Sequence, residues 1–386
     1  MRIAVIHGLP PGGALRWAHD TTVHLAATHD VEVLEVGLGT GIAHSWPSTV
    51  QVSRWAVGLP RKLPGNLTQI MLQRPWRRAQ RQLANVLDDG NYDVVLAHPC
   101  QVTQGPAALS LTTRPTVYFM QEVRRRSYEA GYRDRPTGTW ARRAAAASAV
   151  AAEDAWPRRI DRQAVAASTV VLANSAFTAE ACLRTYGREA VPCLLGIDTR
   201  AFCLSSTTNV RRDHLLLVGG LERNKGALWL IEALGRLGQP RPPLVITGQR
   251  AYGPYVHELL AAAHRCGVAL DIRQNVDESA LVALYQAAVA TCCVSRLEPF
   301  GLTTIESLAC GTPVVGFREG GFREVVRDGE NGRLAARSTV ALADAVADVI
   351  DRRWDSSALR ASVVPEFDIV TAVRRLTGHL QSVVTR

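Results

Sequence analysis

The stretch from residue 298 to 315, EPFGLTTIESLACGTPVV, combines the residue types that bind an anionic ligand beside a helix start. Pro299 disfavours the helical conformation for the residue before it, so Glu298 is predicted to lie in a loop. Gly301 lets the backbone turn sharply into a helix that begins near Leu302. The free amides of such a helix start, together with the positive end of the helix dipole, favour a diphosphate. The stretch therefore predicts an anion cradle with a carboxylate beside it.

A second glutamate, Glu306, follows Glu298 with seven residues between them, about one turn inside the predicted helix. We expect Glu306 to bind ribose hydroxyls and Glu298 to bind the hydroxyls of a sugar. The alternative is the acid and nucleophile of a glycosidase, whose carboxyl groups lie roughly 5 to 9.5 Å apart. Eight helical residues span about 12 Å, which is too far, but the loop around Glu298 leaves this alternative open.

A cationic stretch, VGGLERNKG at residues 218–226, follows a predicted strand. The glycine pair that ends at Gly220 predicts a flexible turn, after which the cations of Arg223 and Lys225 favour contact with a diphosphate and with leaving-group charge. Lys225 is one of only two lysines in a chain rich in arginine, and a compact ammonium is a good point contact for phosphate. The pattern PPGGA at 10–14 resembles a phosphate loop without GxGxxG, and a simple turn is its alternative.

The elements that position these residues are short apolar strands alternating with helices, a pattern that predicts an α/β architecture with parallel sheets covered on both faces. Such sheets bind ligands beyond the C-terminal ends of their strands. The predicted strands lie at residues 3–6, 31–36, 93–97, 116–119, 170–173, 214–218, 244–247, 268–272, 289–294 and 313–316. The predicted helices lie at residues 14–27, 227–237, 255–265, 278–288 and 302–310.

The length of 386 residues favours two domains of similar size. A fresh series of strands and helices begins at His214 after the polar sequence SSTTNVRRD, so we place the boundary near residues 199–211. The predicted domains are 1–200 and 201–365, and the terminal helix, 366–386, is expected to cross back to the first domain. Two such domains predict a ligand-binding cleft between them.

One segment, Arg54 to Leu83, interleaves basic residues with apolar and aromatic ones. We interpret it as a helical excursion whose basic face is solvated, because charged runs on a helix usually face water. A membrane-surface helix is the alternative, and it predicts a weak peripheral membrane contact.

Charge and composition limit the classes of function. The formal net charge of +9 favours anionic partners, but the excess is almost entirely arginine and no nucleic-acid-binding signature accompanies it. The eight cysteines include no CxxC and no zinc-like cluster, so neither disulfides nor a structural zinc is expected. No apolar stretch is long enough for a membrane span and the chain starts without a secretory signal, so we expect a cytoplasmic protein without nucleic-acid partners.

Four stretches together resemble glycosyltransferase family 4, and the resemblance extends over nearly the whole chain. They are EPFGLTTIESLACGTPVV at 298–315, VDESALVALYQAAVATCCVSRLEPFG leading into it, GGFREVVRDGENGRL at 320–334 and NSAFTAEACLRTYG at 174–187. The resemblance implies a GT-B fold, in which two Rossmann-like domains with parallel sheets face each other across a cleft. It also implies sugar transfer with retention of configuration and without a metal, and the sequence agrees on the metal because it has no DxD motif.

The resemblance implies donor roles for single residues. Glu298 binds the hydroxyls of the donor sugar in this scheme, Glu306 binds the ribose, and Lys225 binds the diphosphate. The amides of Leu302 and Thr303 assist Lys225. The other donor-binding residues implied are Gly12, Gly13, Gly220, Gly248, Arg273, Asn275, Val276, Phe300 and Gly301. Retaining enzymes of this kind react on one face of the sugar, where the leaving phosphate assists deprotonation of the acceptor, so no protein nucleophile is assigned.

The chain departs from the family pattern at two positions. Many relatives have arginine where Gly220 stands, so Arg223 is the candidate for the second cation. Many relatives have histidine where Gln121 stands, in the N-terminal lobe near the acceptor. The residues expected on the acceptor side are His98, in a catalytic role, and Gln121, Glu122 and Arg124, in acceptor binding.

These features predict a retaining, metal-independent hexosyltransferase whose donor is a nucleotide sugar, with UDP or GDP as the expected nucleotide and no other cofactor. The acceptor is expected to be a small molecule, such as a specialised-metabolite intermediate. Three alternatives stay open: a peripheral-membrane enzyme with a lipid-linked or polysaccharide acceptor, a GT-B protein that binds sugar nucleotides without turnover, and a nicotinamide dehydrogenase. The last lacks GxGxxG in a suitable context. The sequence does not indicate the oligomeric state.

Overall fold

The computed structural model describes residues 1–38, 45–58, 65–129, 139–207, 210–219, 221–248 and 253–385. The chain divides into two compact units. The first unit comprises Met1–Leu194 and Val373–Arg386, and the second comprises Leu195–Ala372.

The segment after Leu194 belongs to the second unit because its backbone pairs there. Ile197 donates its N–H to the carbonyl of Phe367 over 2.9 Å and accepts the N–H of Ile369 over 2.8 Å. Backbone groups that pair in this way are fixed to the unit that supplies their partners. The chain therefore leaves the first unit before it reaches residues 199–211.

The first unit is built on a parallel sheet. Its strands are β1 (Arg2–Gly8), β2 (Asp30–Leu38), β3 (Gln51–Val57), β4 (Val94–Cys100), β5 (Thr116–Met120), β6 (Val170–Ala173) and β7 (Val191–Pro192). In the described ranges, the strand order is β3-β2-β1-β4-β5-β6-β7, and every neighbouring pair is parallel. The strand order reverses between β1 and β4, so the switch point of the sheet lies between the carboxyl ends of these two strands.

Helices cover this sheet. They are α1 (Gly13–Ala26), α2 (Gly65–Asp89), α3 (Arg125–Tyr128), α4 (Trp140–Ala167) and α5 (Ala176–Tyr186). In α2, Leu72, Trp76 and Leu83 are buried in the core of the unit, whereas its arginines face solvent. The apolar side of α2 is thus used for packing, as the solvated-face interpretation of this segment expects.

The edge strand β3 corrects the prediction that Arg54 to Leu83 is a helical excursion throughout. The parallel register of β3 with β2 places Arg54 beside Glu35. Arg54 Nε donates to Glu35 Oε2 over 2.6 Å, so the carboxylate of a neighbouring strand satisfies this basic side chain. The prediction is wrong up to Val57 because the segment begins as a strand, and residues 59–64 lie outside the described ranges.

The second unit repeats the design with another parallel sheet. Its strands are β8 (His214–Val218), β9 (Leu244–Gly248), β10 (Leu270–Gln274), β11 (Ala288–Cys293), β12 (Val314–Phe317) and β13 (Gly332–Ala335). The order among the described residues is β10-β9-β8-β11-β12-β13, again with parallel neighbours. The switch point lies between β8 and β11, and ligands of such sheets bind at the carboxyl ends of these strands.

The helices of this unit alternate with its strands. They are α6 (Ala227–Leu234), α7 (Gly253–Arg265), α8 (Glu278–Ala287), α9 (Leu302–Ala309), α10 (Phe322–Val325), α11 (Thr339–Asp351), α12 (Ser356–Ala361) and α13 (Val364–Phe367). Leu217, Leu230 and Ile246 are fully or almost fully buried where the helices cover the sheet, and each such side chain contributes about 1.5–3 kcal/mol to folding.

The last helix, α14 (Ile369–Val384), starts within the second unit and continues into the first. Its side chains Leu376, Leu380 and Val383 are buried. No helix in the described ranges combines the length and the apolar character that crossing a membrane requires.

Candidate active site

The loops that follow β8 and β11 meet at the switch point of the second sheet. A short 3₁₀ turn, Arg223–Lys225, follows β8, and Gly226 after it has a φ of 78°. A Cβ atom at Gly226 would lie 2.3 Å from the carbonyl oxygen of Val294, so only glycine allows the two loops to approach this closely. The N–H of Arg296 then donates to the carbonyl of Asn224 over 2.9 Å.

This approach joins two of the predicted site residues, Lys225 and Glu298. Lys225 Nζ lies 2.9 Å from Glu298 Oε2, which is both a hydrogen bond and an ion pair. The two side chains are only 28% and 21% exposed, so their charges are partly shielded from water and their attraction is stronger than on an open surface. The ammonium and the carboxylate therefore lie side by side at the carboxyl edge of the sheet.

Helix α9 begins next to this pair, as the sequence predicts. Gly301 adopts a φ of 93° immediately before Leu302, and no side chain caps the helix start. A Cβ atom at Gly301 would lie 2.5 Å from the ring of Phe322, so both conformation and packing require glycine. An uncapped helix start presents backbone N–H donors and a positive dipole end, which together favour an anion.

Phe300, in the loop, and Thr303, in the first turn of α9, lie against buried groups. Phe300 is buried, and its ring centroid lies 6.0 Å from that of Phe367. Thr303 Oγ1 lies 3.5 Å from Cys293 Sγ. Burial raises the pKa of the Cys293 thiol to about 11, so this group remains neutral near pH 7 and packs as a small apolar residue.

Glu306 lies inside α9 and is buried. The hydroxyl of Tyr285, on α8, donates to Glu306 Oε2 over 2.6 Å. Sequence reasoning did not identify Tyr285, because the contact joins residues 21 positions apart on different helices. Tyr285 fixes the orientation of the Glu306 carboxylate.

Arg223 is held by other residues than the Lys225–Glu298 pair. Its guanidinium makes a two-pronged ion pair with the carboxylate of Glu258 and lies over the ring of Tyr255, 5.1 Å from the centroid. Both partners are on α7. The role of Arg223 as a second cation stays a prediction.

The predicted base-binding residues lie at the ends of two neighbouring strands. Gly248 ends β9, and its carbonyl accepts the N–H of Asn275 over 3.1 Å. Asn275 has a φ of 54°, and Arg273 is paired with Asp271 over 2.8 Å. Val276 follows in the turn before α8, whereas Gly220 lies outside the described residues.

In the first unit, Gly12 and Gly13 form the start of α1. Gly12 has a φ of 153° and precedes the helix without a side-chain cap. A Cβ atom at Gly12 would meet no atom within 4 Å, so open space surrounds this glycine. The structure thus leaves the helix start accessible, and its role with a donor stays a prediction.

The acceptor-side candidates Gln121, Glu122 and Arg124 follow β5. Gln121 is buried and accepts a hydrogen bond from the side-chain amide of Asn174, over 3.3 Å at Oε1 and 2.8 Å at the backbone carbonyl. Arg124 pairs with Asp154 over 3.1 Å and donates to the carbonyl of Val102. These contacts hold the segment in place.

Glu122 contributes to the same segment through its backbone. Its carbonyl accepts the side-chain N–H of Gln104 over 3.1 Å, and its carboxylate lies 3.9 Å from the guanidinium of Arg125. The Glu122 side chain is 38% exposed, compared with 14% for Arg124, whereas Gln121 is buried.

His98 lies within β4 and is completely buried. Its ring centroid is 5.7 Å from that of Phe119. Burial, together with the nearby His7, lowers the pKa of His98 to about 3. The imidazole is therefore neutral and inaccessible near pH 7, and its catalytic role stays a prediction.

A buried carboxylate that sequence reasoning missed lies close by. Glu35 accepts hydrogen bonds from Trp46 over 2.7 Å and from Arg54, and its Oε1 lies 3.4 Å from His7 Nε2. Burial opposes the charge, but His7, Arg54 and Trp46 outweigh it and lower the pKa of Glu35 to about 2. The carboxylate stays ionised and links β2 to the neighbouring strands β1 and β3.

One segment of the chain and its fold are similar to known glycosyltransferases. Residues 205–362, less than half of the chain, match the family model described as "Glycosyl transferases group 1". This segment contains Lys225, Glu298 and Glu306. Solved structures, among them several described as glycosyltransferases, superpose over nearly the whole chain, and the predicted GT-B fold with two Rossmann-like units and parallel sheets is confirmed.

The similarity to individual proteins is either partial in length or low in sequence identity. The chain is 34% identical over 193 residues to D-inositol 3-phosphate glycosyltransferase of Xylanimonas cellulosilytica. This match covers 45% of this chain and 46% of the relative. Sucrose-phosphate synthase from Thermosynechococcus elongatus has a TM-score of 0.75 and 18% identity, over 100% of this chain and 99% of that one. Anabaena HepE in complex with UDP-glucose has a TM-score of 0.73 and 19% identity, over 99% of this chain and 100% of that one. The chain spans about half or less of the length of the first curated relatives it matches.

Proposed function

We propose that this protein is a retaining, metal-independent glycosyltransferase of family 4 that moves a hexose from a nucleoside diphosphate sugar to a small-molecule acceptor. The observation that carries the proposal is the Lys225–Glu298 pair, 2.9 Å apart, beside the uncapped start of α9. A cation and free amides suit a diphosphate, and a carboxylate suits sugar hydroxyls. The match to glycosyl transferases group 1 and the UDP-glucose bound in the HepE complex support the same assignment.

The chemistry assigned to this site is charge stabilisation. As the bond between the sugar and the diphosphate breaks, negative charge grows on the leaving oxygen, and the Lys225 ammonium with the amides of Leu302 and Thr303 stabilises it. The leaving phosphate takes the proton of the acceptor hydroxyl on the same face of the sugar. No protein nucleophile is needed, so the two glutamates serve as binding groups.

Glu298 and Glu306 have separate assignments. Glu298 binds the sugar hydroxyls, while Glu306, oriented by Tyr285, binds the ribose. Their different surroundings support this division, because Glu298 is paired with an ammonium at the loop whereas Glu306 is buried inside the helix. We assign both carboxylates to hydroxyl binding rather than to the proton donor and nucleophile of a glycosidase, because Glu298 already pairs with the Lys225 ammonium and Glu306 accepts the Tyr285 hydroxyl.

A thermal-shift screen tests the donor assignment. Purified protein is heated with UDP-, GDP-, ADP- and dTDP-sugars, each with and without EDTA. We expect stabilisation by one nucleotide class, UDP- or GDP-sugars, that EDTA leaves unchanged, because a ligand that binds only the folded state raises its melting temperature. No shift with any donor contradicts the assignment of the Lys225–Glu298 region, and loss of the shift in EDTA contradicts metal independence.

The variant Glu298→Ala separates an enzyme from a protein that only binds sugar nucleotides. We expect wild-type protein to release the nucleotide product from its donor, by transfer or by slow hydrolysis, and Glu298→Ala to lose most of this activity. Glu330→Ala is a suitable control because Glu330 lies outside the proposed site and is exposed. Donor binding without any product release in the wild-type protein would favour the binding protein.

A lipid-linked acceptor is the second candidate, and one observation favours it. The arginines at 74, 77, 78 and 81 form an exposed basic stripe on α2, and they line a surface groove of about 490 Å³. Among the apolar residues of α2, Leu72, Trp76 and Leu83 are buried whereas Met71 is exposed, so membrane contact would rest mainly on the charges of this stripe. Sedimentation with vesicles that contain anionic phospholipid tests it, and absence of binding at low salt contradicts the lipid-linked version.

A further inference from the structure

The backbone at Leu297, directly before Glu298, has an unusual conformation. Leu297 has a φ of 46°, in the left-handed region that residues with a side chain rarely adopt. A residue with a side chain is strained in this region, and the conformation persists only where surrounding contacts hold it. The conformation of Leu297 determines the direction in which the next residue projects its side chain.

The contact that holds Leu297 comes from Glu319. Its carboxylate oxygen Oε1 accepts the N–H of Leu297 over 2.8 Å. Arg337 in turn binds both oxygens of Glu319, with Nε donating over 2.9 Å to Oε2 and a second bond from Nη2 to Oε1. A guanidinium that binds a carboxylate through two nitrogens fixes its plane as well as its position.

Arg337 is itself held by aromatic rings. Its guanidinium lies 4.6 Å from the ring centroid of Phe317 and 5.5 Å from that of Trp229. Burial opposes the charge of Glu319, but the hydrogen bonds from Arg337 and from the Leu297 amide outweigh it, and the pKa of Glu319 lies below its usual range. The Glu319 carboxylate is therefore ionised near pH 7.

The residues that follow Glu319 hold Glu298 from its other side. Gly321 donates its N–H to the carbonyl of Glu298 over 2.8 Å. A Cβ atom at Gly320 would lie 2.5 Å from that carbonyl oxygen, and one at Gly321 would lie 2.3 Å from the carbonyl oxygen of Pro299. The segment 319–321 thus packs directly against 297–299, with hydrogen bonds on both sides of the Glu298 side chain.

We propose that Glu319 and Arg337 are positioning residues that hold the Leu297–Glu298 backbone so that the Glu298 carboxylate points at Lys225 and, in the donor complex, at the sugar. The donor part of this proposal rests on the proposed function. Neither residue touches the donor in this scheme. Their loss therefore weakens recognition of the sugar but leaves recognition of the nucleotide in place.

Hydrogen exchange tests the positioning directly and needs no ligand. The amide of Leu297 is followed in wild-type protein, Glu319→Ala and Glu319→Gln, with the amides of β9 as an internal reference. We expect exchange at Leu297 to rise about tenfold or more in Glu319→Ala, because its acceptor is lost. Glu319→Gln should fall between the two, since a side-chain carbonyl can still accept the N–H. Unchanged exchange at Leu297 in Glu319→Ala overturns the proposal.

Calorimetric titration with UDP and with UDP-glucose tests the consequence for the site. We expect Glu319→Ala to weaken UDP-glucose binding about tenfold and UDP binding less than about twofold, and Glu298→Ala to give the same pattern. The double variant Glu319→Ala/Glu298→Ala should bind UDP-glucose no more weakly than Glu298→Ala alone, because both changes remove the same contact of the Glu298 carboxylate with the sugar. Equal weakening for both probes overturns the proposal, since it indicates a general distortion of the unit.

The matched control is a substitution at another ion pair of the same unit. Asp348→Asn removes a carboxylate on α11 that pairs with Arg333 in the same unit, and it should change neither exchange at Leu297 nor binding. If wild-type protein binds neither UDP nor UDP-glucose, the donor assignment fails with these probes, while hydrogen exchange still decides whether Glu319 holds Leu297. If exchange rises but sugar recognition is unchanged, Glu319 supports the loop without positioning Glu298 for the sugar, and the proposal is overturned.

Discussion

The hydroxyl of Tyr285 donates to the carboxylate of Glu306 over 2.6 Å, and through this bond α8 sets the orientation of a side chain buried in α9. The ring of Tyr285 is also packed edge-on against Phe202, with 6.2 Å between centroids. The variant Tyr285→Phe tests the two contacts separately, because it removes the hydroxyl and keeps the ring.

We expect Tyr285→Phe to weaken nucleotide binding several-fold and to lower the melting temperature. A hydrogen bond to a charged group contributes about 1.5–3 kcal/mol, and its loss leaves the buried carboxylate less well satisfied. Thermal shift and titration with UDP measure both effects. Tyr92→Phe is the matched control, because Tyr92 donates to Glu32 in the first unit. A similar loss of UDP binding in both variants would contradict a local role for Tyr285.

The substitution Gly301→Ala should displace the start of α9. Alanine at a φ of 93° carries a backbone cost of roughly 1–2 kcal/mol, and its Cβ would also overlap the Phe322 ring. Gly329→Ala isolates the backbone cost, because Gly329 has a φ of 84° and a Cβ atom there would meet no atom within 4 Å. We expect Gly301→Ala to lower the melting temperature further and to abolish the nucleotide-induced shift, whereas Gly329→Ala keeps it. Equal effects of Gly301→Ala and Gly329→Ala on the melting temperature and on the nucleotide-induced shift would mean that the Phe322 ring moves away from the new Cβ atom.

Lys225 and Arg223 should differ sharply in activity assays. We expect Lys225→Met to reduce kcat/KM by about a hundredfold or more, the usual cost of removing one preorganised donor to developing negative charge. Arg223→Met should cost less than about threefold, because Glu258 and Tyr255 hold its guanidinium. Steady-state release of nucleotide from the donor measures both. A loss from Arg223→Met as large as that from Lys225→Met would show that Arg223 leaves Glu258 when the donor binds.

Stability at acid pH should depend on Glu35. Its pKa is lowered from the ordinary 4.5 to about 2, so its contribution to folding is fully present above about pH 4.5 and is lost as pH falls towards 2. The contribution is up to about 3 kcal/mol, from 1.36 kcal/mol for each unit of pKa. We expect the melting temperature of Glu35→Gln to fall less steeply over this range than that of the wild-type protein. Parallel curves would contradict the lowered pKa.

The buried imidazole of His98 should not titrate during turnover. With a pKa of about 3, the ring is neutral throughout the range from pH 5 to 8. We therefore expect His98→Asn to change the size of kcat/KM but not the position of its acidic limb between pH 5 and 8, as neutral His differs from Asn in packing rather than in charge. A shifted acidic limb would identify His98 as a proton-transfer group.

Sequence reasoning was most successful where the chemistry is local. Pro299, Gly301 and the apolar runs of β8 and β11 act on their immediate neighbours, so the loop at Glu298 and the strands around it could be predicted. That Lys225 and Glu298 belong to the same site required one further step, the rule that parallel sheets bind ligands at the carboxyl ends of their strands, and their ion pair was not predicted.

The missed contacts all depend on packing between distant segments. Glu319 meets Arg337 across 18 positions and Leu297 across 22, and no short spacing pattern encodes either contact. Strand β3 escaped prediction because its side chains are mostly half exposed at the sheet edge, which leaves no continuous apolar run. The pairing of Arg54 with Glu35 follows only once the register of β3 with β2 is known.

The path of α14 gives the two units an unequal order of completion on the ribosome. The first unit includes Val373–Arg386, so it lacks its last helix until all of Leu195–Ala372 has been translated. At roughly 5–20 residues per second, this delay is on the order of ten to forty seconds. The second unit, whose residues are contiguous, is complete first, although the first unit begins the chain.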